Sequence, residues 1–153
     1  MTLNVGDKAP EFSLPATTGE TISLKDQAGK KVVLYFYPAD DTPGCTIEAC
    51  GFRDSIDQLD AAGAVILGVS ADSMESHDRF LTKFDLNFPL LSDEDKTVAN
   101  AYGAWGEKQR FGKTVIGMRR ETFLIDEQGD IQKIWRQVKP EGHPEQVLAA
   151  IRG

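Results

Sequence analysis

Val32-Val-Leu-Tyr-Phe-Tyr37, followed by Pro38-Ala-Asp-Asp-Thr-Pro-Gly-Cys45, is the stretch that decides the fold. Six apolar, β-branched or aromatic residues in a row lack the alternation of a half-exposed strand. They predict a strand buried on both faces. Pro38 ends it, because proline has no N–H to give to a ladder, and the residues up to Gly44 have loop composition. Beyond the loop, Ile47, Ala49, Cys50, Phe52, Ile56, Leu59 and Ala62 fall near helical spacing, so a helix is expected from Thr46 to about Ala62. Gly63 stops it, and Ala64-Val-Ile-Leu-Gly-Val69 is a second buried strand. Two such strands joined through a helix imply a parallel pair with helices over the sheet.

The pattern continues outward on both sides. Toward the N-terminus, Phe12 and Leu14 alternate with polar neighbours, Thr18-Gly19 supplies a turn, and Ile22 and Leu24 alternate again, which predicts a β-hairpin over residues 11–24. Toward the C-terminus, a helix is expected from Ser73 to Phe84, a short strand at Leu90-Leu91, and a helix from Asp93 to Tyr102 with Ser92 as its cap. The segments 119–126 and 131–136 form a second hairpin across Glu127-Gln-Gly129, and a helix from Pro144 to Arg152 follows. The expected architecture is α/β: three layers, a mixed central sheet with helices on both faces, and an N-terminal β-hairpin, in one domain spanning residues 1–153. Ligand sites in such folds lie beyond the carboxyl ends of strands. The loop after Tyr37 is at such an end and leads to Cys45.

Composition narrows the function. The chain has 153 residues, 41% of them hydrophobic and 27% charged, a balance that argues against disorder. A formal charge of −7 disfavours nucleic acid as a partner. The one dense basic cluster, Lys108 to Arg120 with five Lys/Arg residues, reads as a solvated loop and strand end. No apolar run approaches the roughly 20 residues that span a bilayer. The opening Met1-Thr-Leu-Asn-Val-Gly-Asp7 lacks signal-peptide character, so a cytoplasmic setting is expected. No phosphate loop, dinucleotide fingerprint or metal box is present, and neither a cofactor nor a metal is expected. His77 and His143 lack local partners and read as surface histidines.

The only two cysteines, Cys45 and Cys50, lie in one segment. Two thiols fall short of a structural zinc site, which leaves redox chemistry or two inert buried thiols. Cys45 falls at the N-terminal end of the expected helix, where unpaired N–H groups and the dipole favour an anion such as a thiolate. For any thiol, a fall in pKa from about 8.5 to about 6 raises the thiolate fraction at pH 7 only about thirty-fold. If the redox reaction left open were attack on a peroxide, the thiolate would need more, namely donors aimed at the oxygen on which charge develops as the O–O bond breaks. Thr42, three residues upstream, has a hydroxyl that both donates and accepts. The N–H of Cys45 is a second donor. A guanidinium would be a third, and Arg119 and Arg120 are the candidates.

The spacing Pro38-x-x-x-Thr42-x-x-Cys45 resembles the peroxiredoxin active-site motif. Thr42-Pro-Gly-Cys-Thr-Ile-Glu-Ala-Cys-Gly-Phe-Arg-Asp54 is similar to the Q-type branch, also called bacterioferritin comigratory protein. So are Gly6-Asp-Lys-Ala-Pro-Glu-Phe12 and Arg120-Glu-Thr-Phe-Leu-Ile-Asp126. The resemblance covers nearly the whole chain. It implies a thioredoxin-like fold and a thiol peroxidase reducing hydrogen peroxide and organic hydroperoxides. It makes Cys45 the peroxidatic nucleophile, Thr42 and Arg120 its activating partners, Pro38 a shield over the thiolate, and Cys50 the resolving cysteine. It also favours thioredoxin or a similar dithiol as reductant and a monomer. Arg120 is preferred to Arg119 because the family's arginine stands three residues before a phenylalanine, here Phe123. Strand alternation puts the two arginines on opposite faces, leaving Arg119 on a solvated one. Glu48 is a candidate partner for Arg120, with a first-turn acid facing the helix dipole as the plainer alternative.

Geometry constrains the Cys45–Cys50 pair. Five residues of α-helix separate Cα atoms by roughly 7.5 Å along the axis and about 140° around it. A disulfide needs Cα atoms within about 7 Å and converging side chains. Pairing therefore requires the first helical turns to unwind. A disulfide oxidoreductase on the same fold would normally carry Cys-x-x-Cys, whose sulfurs exchange without unwinding. A non-enzymatic thiol metal-binding or chaperone module would need further Cys, Met or His ligands, and no third ligand is evident.

Overall fold

The computed structural model describes residues 3–153. The decisive apolar run is strand β3 (Lys31–Phe36), preceded by a short hairpin, β1 (Ser13–Pro15) and β2 (Thr21–Ser23). After β3 come α1 (Pro43–Ala61), β4 (Ala64–Ser70), α2 (Met74–Phe84), β5 (Leu90–Ser92) and α3 (Thr97–Tyr102). Then follow β6 (Trp105–Arg110), β7 (Lys113–Met118), β8 (Glu121–Ile125), β9 (Ile131–Trp135) and α4 (His143–Arg152). The central sheet has the order β5-β4-β3-β8-β9. β3 runs parallel to β4 and antiparallel to β8, so the sheet is mixed, as expected.

β3 reads as a continuous apolar run because it serves two cores. Val32, Leu34 and Phe36 join Phe12, Tyr102 and Phe123 on one face of the sheet. Val33, Tyr35 and Tyr37 join Cys45, Ala49, Phe52 and Val147 on the other. Alternate side chains of a strand point to opposite faces, so burial on both faces leaves no polar position. α1 covers the second face. Tyr35 and Phe52 stack there with centroids 4.8 Å apart, and α4 packs beside α1.

Several sequence expectations are corrected. α1 begins at Pro43, not Thr46, because proline's preset φ suits the first helical position. The helix expected from Asp93 starts only at Thr97, and its cap is the Asp93 carboxylate, which accepts from the N–H groups of Val98 and Ala99. Ser92 instead belongs to β5, and its hydroxyl donates to the Asp72 carbonyl. The basic segment is not a solvated loop. It is the β6–β7 ribbon, closed by Phe111-Gly112 with both residues at positive φ, the geometry of a type I′ turn. Its tip is solvated, and its base roofs the loop that follows β3.

Both histidines are buried rather than on the surface. His143 Nε2 lies 2.8 Å from the Thr122 hydroxyl, its ring packs edge-on to Trp135 and Phe52, and burial pushes its pKa down. It ties α4 to β8. His77 Nδ1 lies 2.7 Å from Asp40 Oδ2, and its Nε2 lies 2.8 Å from the Leu91 carbonyl. Nor is Arg119 on a solvated face. It donates to the Gly103 and Glu107 carbonyls and to Glu121, fastening β6 to the start of β8.

Candidate active site

Cys45 is the third residue of α1 and is almost wholly buried, on the sheet side of the helix. Thr42 is the N-cap, yet its side chain makes no cap hydrogen bond. Its hydroxyl donates instead to the Ala39 carbonyl at 2.9 Å. That choice has two effects. The oxygen keeps lone pairs with which to accept from an incoming O–H, and the first-turn N–H groups of Gly44 and Cys45 receive no capping oxygen from Thr42. The helix end therefore presents donors where an anion would sit.

Arg120 comes from the strand edge across the site. It lies in the short link between β7 and β8, so the register of β8 on β3 sets its reach. One terminal nitrogen approaches Cys45 Sγ at 3.4 Å, and the other donates to Glu48 Oε1 at 2.9 Å. Burial works against its charge, but the Cys45 and Glu48 groups outweigh this and hold its pKa above the ordinary value. Gly44 is required here: a Cβ would lie 2.9 Å from an Arg120 nitrogen and 3.2 Å from Pro140.

Glu48 lies one turn along α1 from Cys45, fully buried. One carboxylate oxygen takes the Arg120 bond, and the other has no hydrogen-bond partner. Burial raises its pKa, Arg120 pulls the other way, and the balance leaves it pushed up to about 7. It is thus a partner of Arg120 and not a solvent-facing acid at the helix end.

Pro38, Thr42, Gly44 and Arg120 line a cleft of about 540 Å³ whose opposite wall is the β6–β7 ribbon. Lys108 of that ribbon donates from Nζ to the Met118 carbonyl at 2.7 Å and lines the same cleft. Desolvation, together with Arg110 and Arg120, lowers its pKa, while Cys45 opposes the shift. The structure thus brings Cys45, Arg120 and Glu48 into contact and sets Thr42 and Pro38 on the same cleft. Cys50 is half-buried on the same intact helix, and both cysteines are free thiols. Sequence reasoning missed Lys108, whose position depends on a ribbon that composition did not reveal. Arg53 and Asp54 form an ion pair at 3.0 Å outside this site.

A thiol set in the first turn of a helix over a thioredoxin-like sheet, with a guanidinium on its sulfur, defines a class: cysteine-based peroxidases. Comparison with known proteins makes this particular. Residues 5–134 match the model of the AhpC/TSA family. The chain is 54% identical over 151 residues to a putative peroxiredoxin Bcp of Coxiella burnetii, covering 99% of this chain and 100% of that one. It is 47% identical over 152 residues to peroxiredoxin Bcp of Bacillus subtilis, covering 99% and 97%. Among solved structures it resembles the bacterioferritin comigratory protein of Xanthomonas campestris, studied for alkyl peroxide reduction. There the TM-score is 0.90 at 40% identity, over 97% of this chain and 98% of that one. The chain belongs to the AhpC/TSA family and is a peroxiredoxin, a thiol-dependent peroxidase. Among the described residues, no helix is long and apolar enough to cross a membrane.

Proposed function

We propose that the chain is one peroxiredoxin domain that reduces hydrogen peroxide and organic hydroperoxides at Cys45. The Cys45 thiolate attacks the terminal peroxide oxygen. The S–O bond forms as the O–O bond breaks, leaving Cys45 as sulfenic acid and releasing an alkoxide or hydroxide that takes up a proton. Arg120 and the Cys45 N–H stabilise the charge on the separating oxygens. The Thr42 hydroxyl orients the peroxide by accepting from its O–H. Pro38 covers the sulfur against bulk water, and Glu48 fixes the Arg120 fork.

Resolution follows at Cys50. Its thiol displaces the hydroxyl of the Cys45 sulfenic acid as water, and an intramolecular Cys45–Cys50 disulfide forms. Thioredoxin or a similar dithiol then reduces that bond by exchange and is itself oxidised. A cycle closed within one chain needs no partner subunit, which fits a monomer. A dithiol reductant of this kind fits a cytoplasmic setting. The observation that carries the proposal is the Arg120 fork, with one nitrogen on the Cys45 sulfur and the other on Glu48.

Mass spectrometry of reduced and peroxide-treated protein, alongside peroxide consumption with reduced thioredoxin, tests the cycle. The expected product is one disulfide between Cys45 and Cys50. Cys50→Ser is expected to complete one turnover and then accumulate oxidised Cys45. Sustained thioredoxin-driven turnover by Cys50→Ser would remove Cys50 from the cycle.

A further inference from the structure

Beneath the loop that carries Pro38 and Thr42 lies a polar cluster in which Asp40 is held at four points. Its N–H donates to Asp72 Oδ2 at 2.8 Å, and its Oδ1 accepts from the Tyr37 hydroxyl at 2.6 Å. Its Oδ2 accepts from the Ser76 hydroxyl at 2.7 Å and meets His77 Nδ1 at 2.7 Å. Asp72 is fixed in turn by the Ser70 hydroxyl at 2.6 Å. His77 is fully buried, and its other nitrogen faces the Leu91 carbonyl of β5. The Leu91 carbonyl can only accept, so the ring donates to it from Nε2 and turns Nδ1 toward Asp40.

The sequence places this peg between the two active-site residues of the loop. Asp40 stands two residues after Pro38 and two before Thr42, and Asp41 between Asp40 and Thr42 is left-handed at φ 58°. A non-glycine residue in that conformation is held by its surroundings. The Thr42 hydroxyl contacts its own loop, at Ala39, and has no bond to the sulfur it serves. Its aim therefore depends on where the loop is fixed, and the loop is fixed through Asp40 to α2 and β5. A displacement of about 1 Å at a positioning group can cost on the order of a hundred-fold in rate.

We propose that His77 is a positioning residue for peroxide reduction: through Asp40 it locks the Pro38–Thr42 loop so that the Thr42 hydroxyl faces the peroxide. The inference rests on the assignment of Cys45 and Thr42 made above. It concerns the step with peroxide and leaves the intrinsic reactivity of the sulfur alone. Two reagents separate these. Hydrogen peroxide needs Thr42 to orient it, whereas iodoacetamide alkylates an accessible thiolate without such help.

The experiment uses the Cys50→Ser protein as parent and measures single-turnover peroxide consumption and iodoacetamide alkylation of Cys45. His77→Gln and Asp40→Asn are expected to slow the peroxide reaction at least ten-fold and to change alkylation less than two-fold. Ser76→Ala removes only one of the supports of Asp40 and is expected to slow peroxide two- to five-fold with alkylation unchanged. It decides the matter if His77→Gln does not fold. Folded variants in which both rates fall together, or neither falls, overturn the inference. A parent inert toward peroxide overturns the Cys45 assignment and this inference with it.

Discussion

Arg120 serves two partners through two different nitrogens, with the Cys45 sulfur at 3.4 Å and Glu48 at 2.9 Å. A lysine has one compact ammonium on a flexible stem and cannot fork in this way. Arg120→Lys is therefore expected to lower the rate constant for hydrogen peroxide by on the order of a hundred-fold, the usual cost of losing one oriented donor. Arg119 sits one residue away but faces the Gly103 and Glu107 carbonyls. Arg119→Ala is expected to keep the peroxide rate within about three-fold while losing roughly 1–3 kcal/mol of stability, since it takes a charged donor from the buried Glu121 carboxylate. Stopped-flow peroxide kinetics and urea titration of the two variants check both outcomes, and equal losses of rate would refute the assignment of Arg120. Strand alternation said only that the two arginines face opposite ways; the choice of Arg120 came from the family resemblance, which sets the arginine three residues before a phenylalanine. Their partners were not legible: Glu48 and Arg120 are 72 residues apart, and the histidine partner of Asp40 is 37 residues away. No local pattern encodes such pairs.

The helix α1 carries both cysteines, and its glycines act in opposite ways to the propensity scale. In most helix interiors Gly→Ala stabilises by about 1 kcal/mol. At Gly51 a Cβ would lie 2.7 Å from Pro144 Cγ in the first turn of α4, a rigid ring that cannot step aside. Gly51→Ala is therefore expected to destabilise, by roughly 1–3 kcal/mol, in chemical denaturation. The same helix holds Glu48, whose pKa is about 7 when buried against an ordinary value of about 4.5. The closed helix binds the extra proton, so this contribution to closure is fully present below pH about 4.5. It is lost as pH rises through about 7. Opening of residues 43–52 is thus easier at pH 8 than at pH 5. Hydrogen exchange of the Cys45→Ser protein, corrected for intrinsic rates, should show less protection of this segment at pH 8. Glu48→Gln should remove most of that dependence. Sequence periodicity located α1 to within three residues of its start. It missed the β6–β7 ribbon because Phe111-Gly112 replaces the usual Asn-Gly signal and the strands lack alternating apolar residues.

Across the whole molecule, one sheet separates two cores, and the proposed opening of α1 would disturb only one of them. Phe52 is wholly buried between Tyr35, Phe88 and His143 on the catalytic side. Phe52→Ala is expected to cost about 3–5 kcal/mol, measurable by urea titration. The disulfide form should melt several degrees below the reduced form in calorimetry. It gives up the first turns of α1, and a bond across four residues closes too small a loop to offset that loss. The α/β class and the strand order along the chain were readable from the sequence, since buried strands and amphipathic helices differ in period. The partition into two cores was implicit in the unbroken run of β3, whose odd and even residues face different layers.

That partition bears on time as well as stability. If α1 opens as proposed, Val33, Tyr35 and Tyr37 remain as a ready template on a strand whose alternate residues pack into the core of the far face. Re-forming a few helical turns on such a surface is a submicrosecond to microsecond event. Encounter with a reductant protein at micromolar concentration is slower by orders of magnitude, at typical association rates of about 10⁵–10⁷ M⁻¹s⁻¹. In the proposed cycle the catalyst would therefore reset almost as soon as it is reduced, and the supply of electrons, rather than refolding, would set the tempo of turnover.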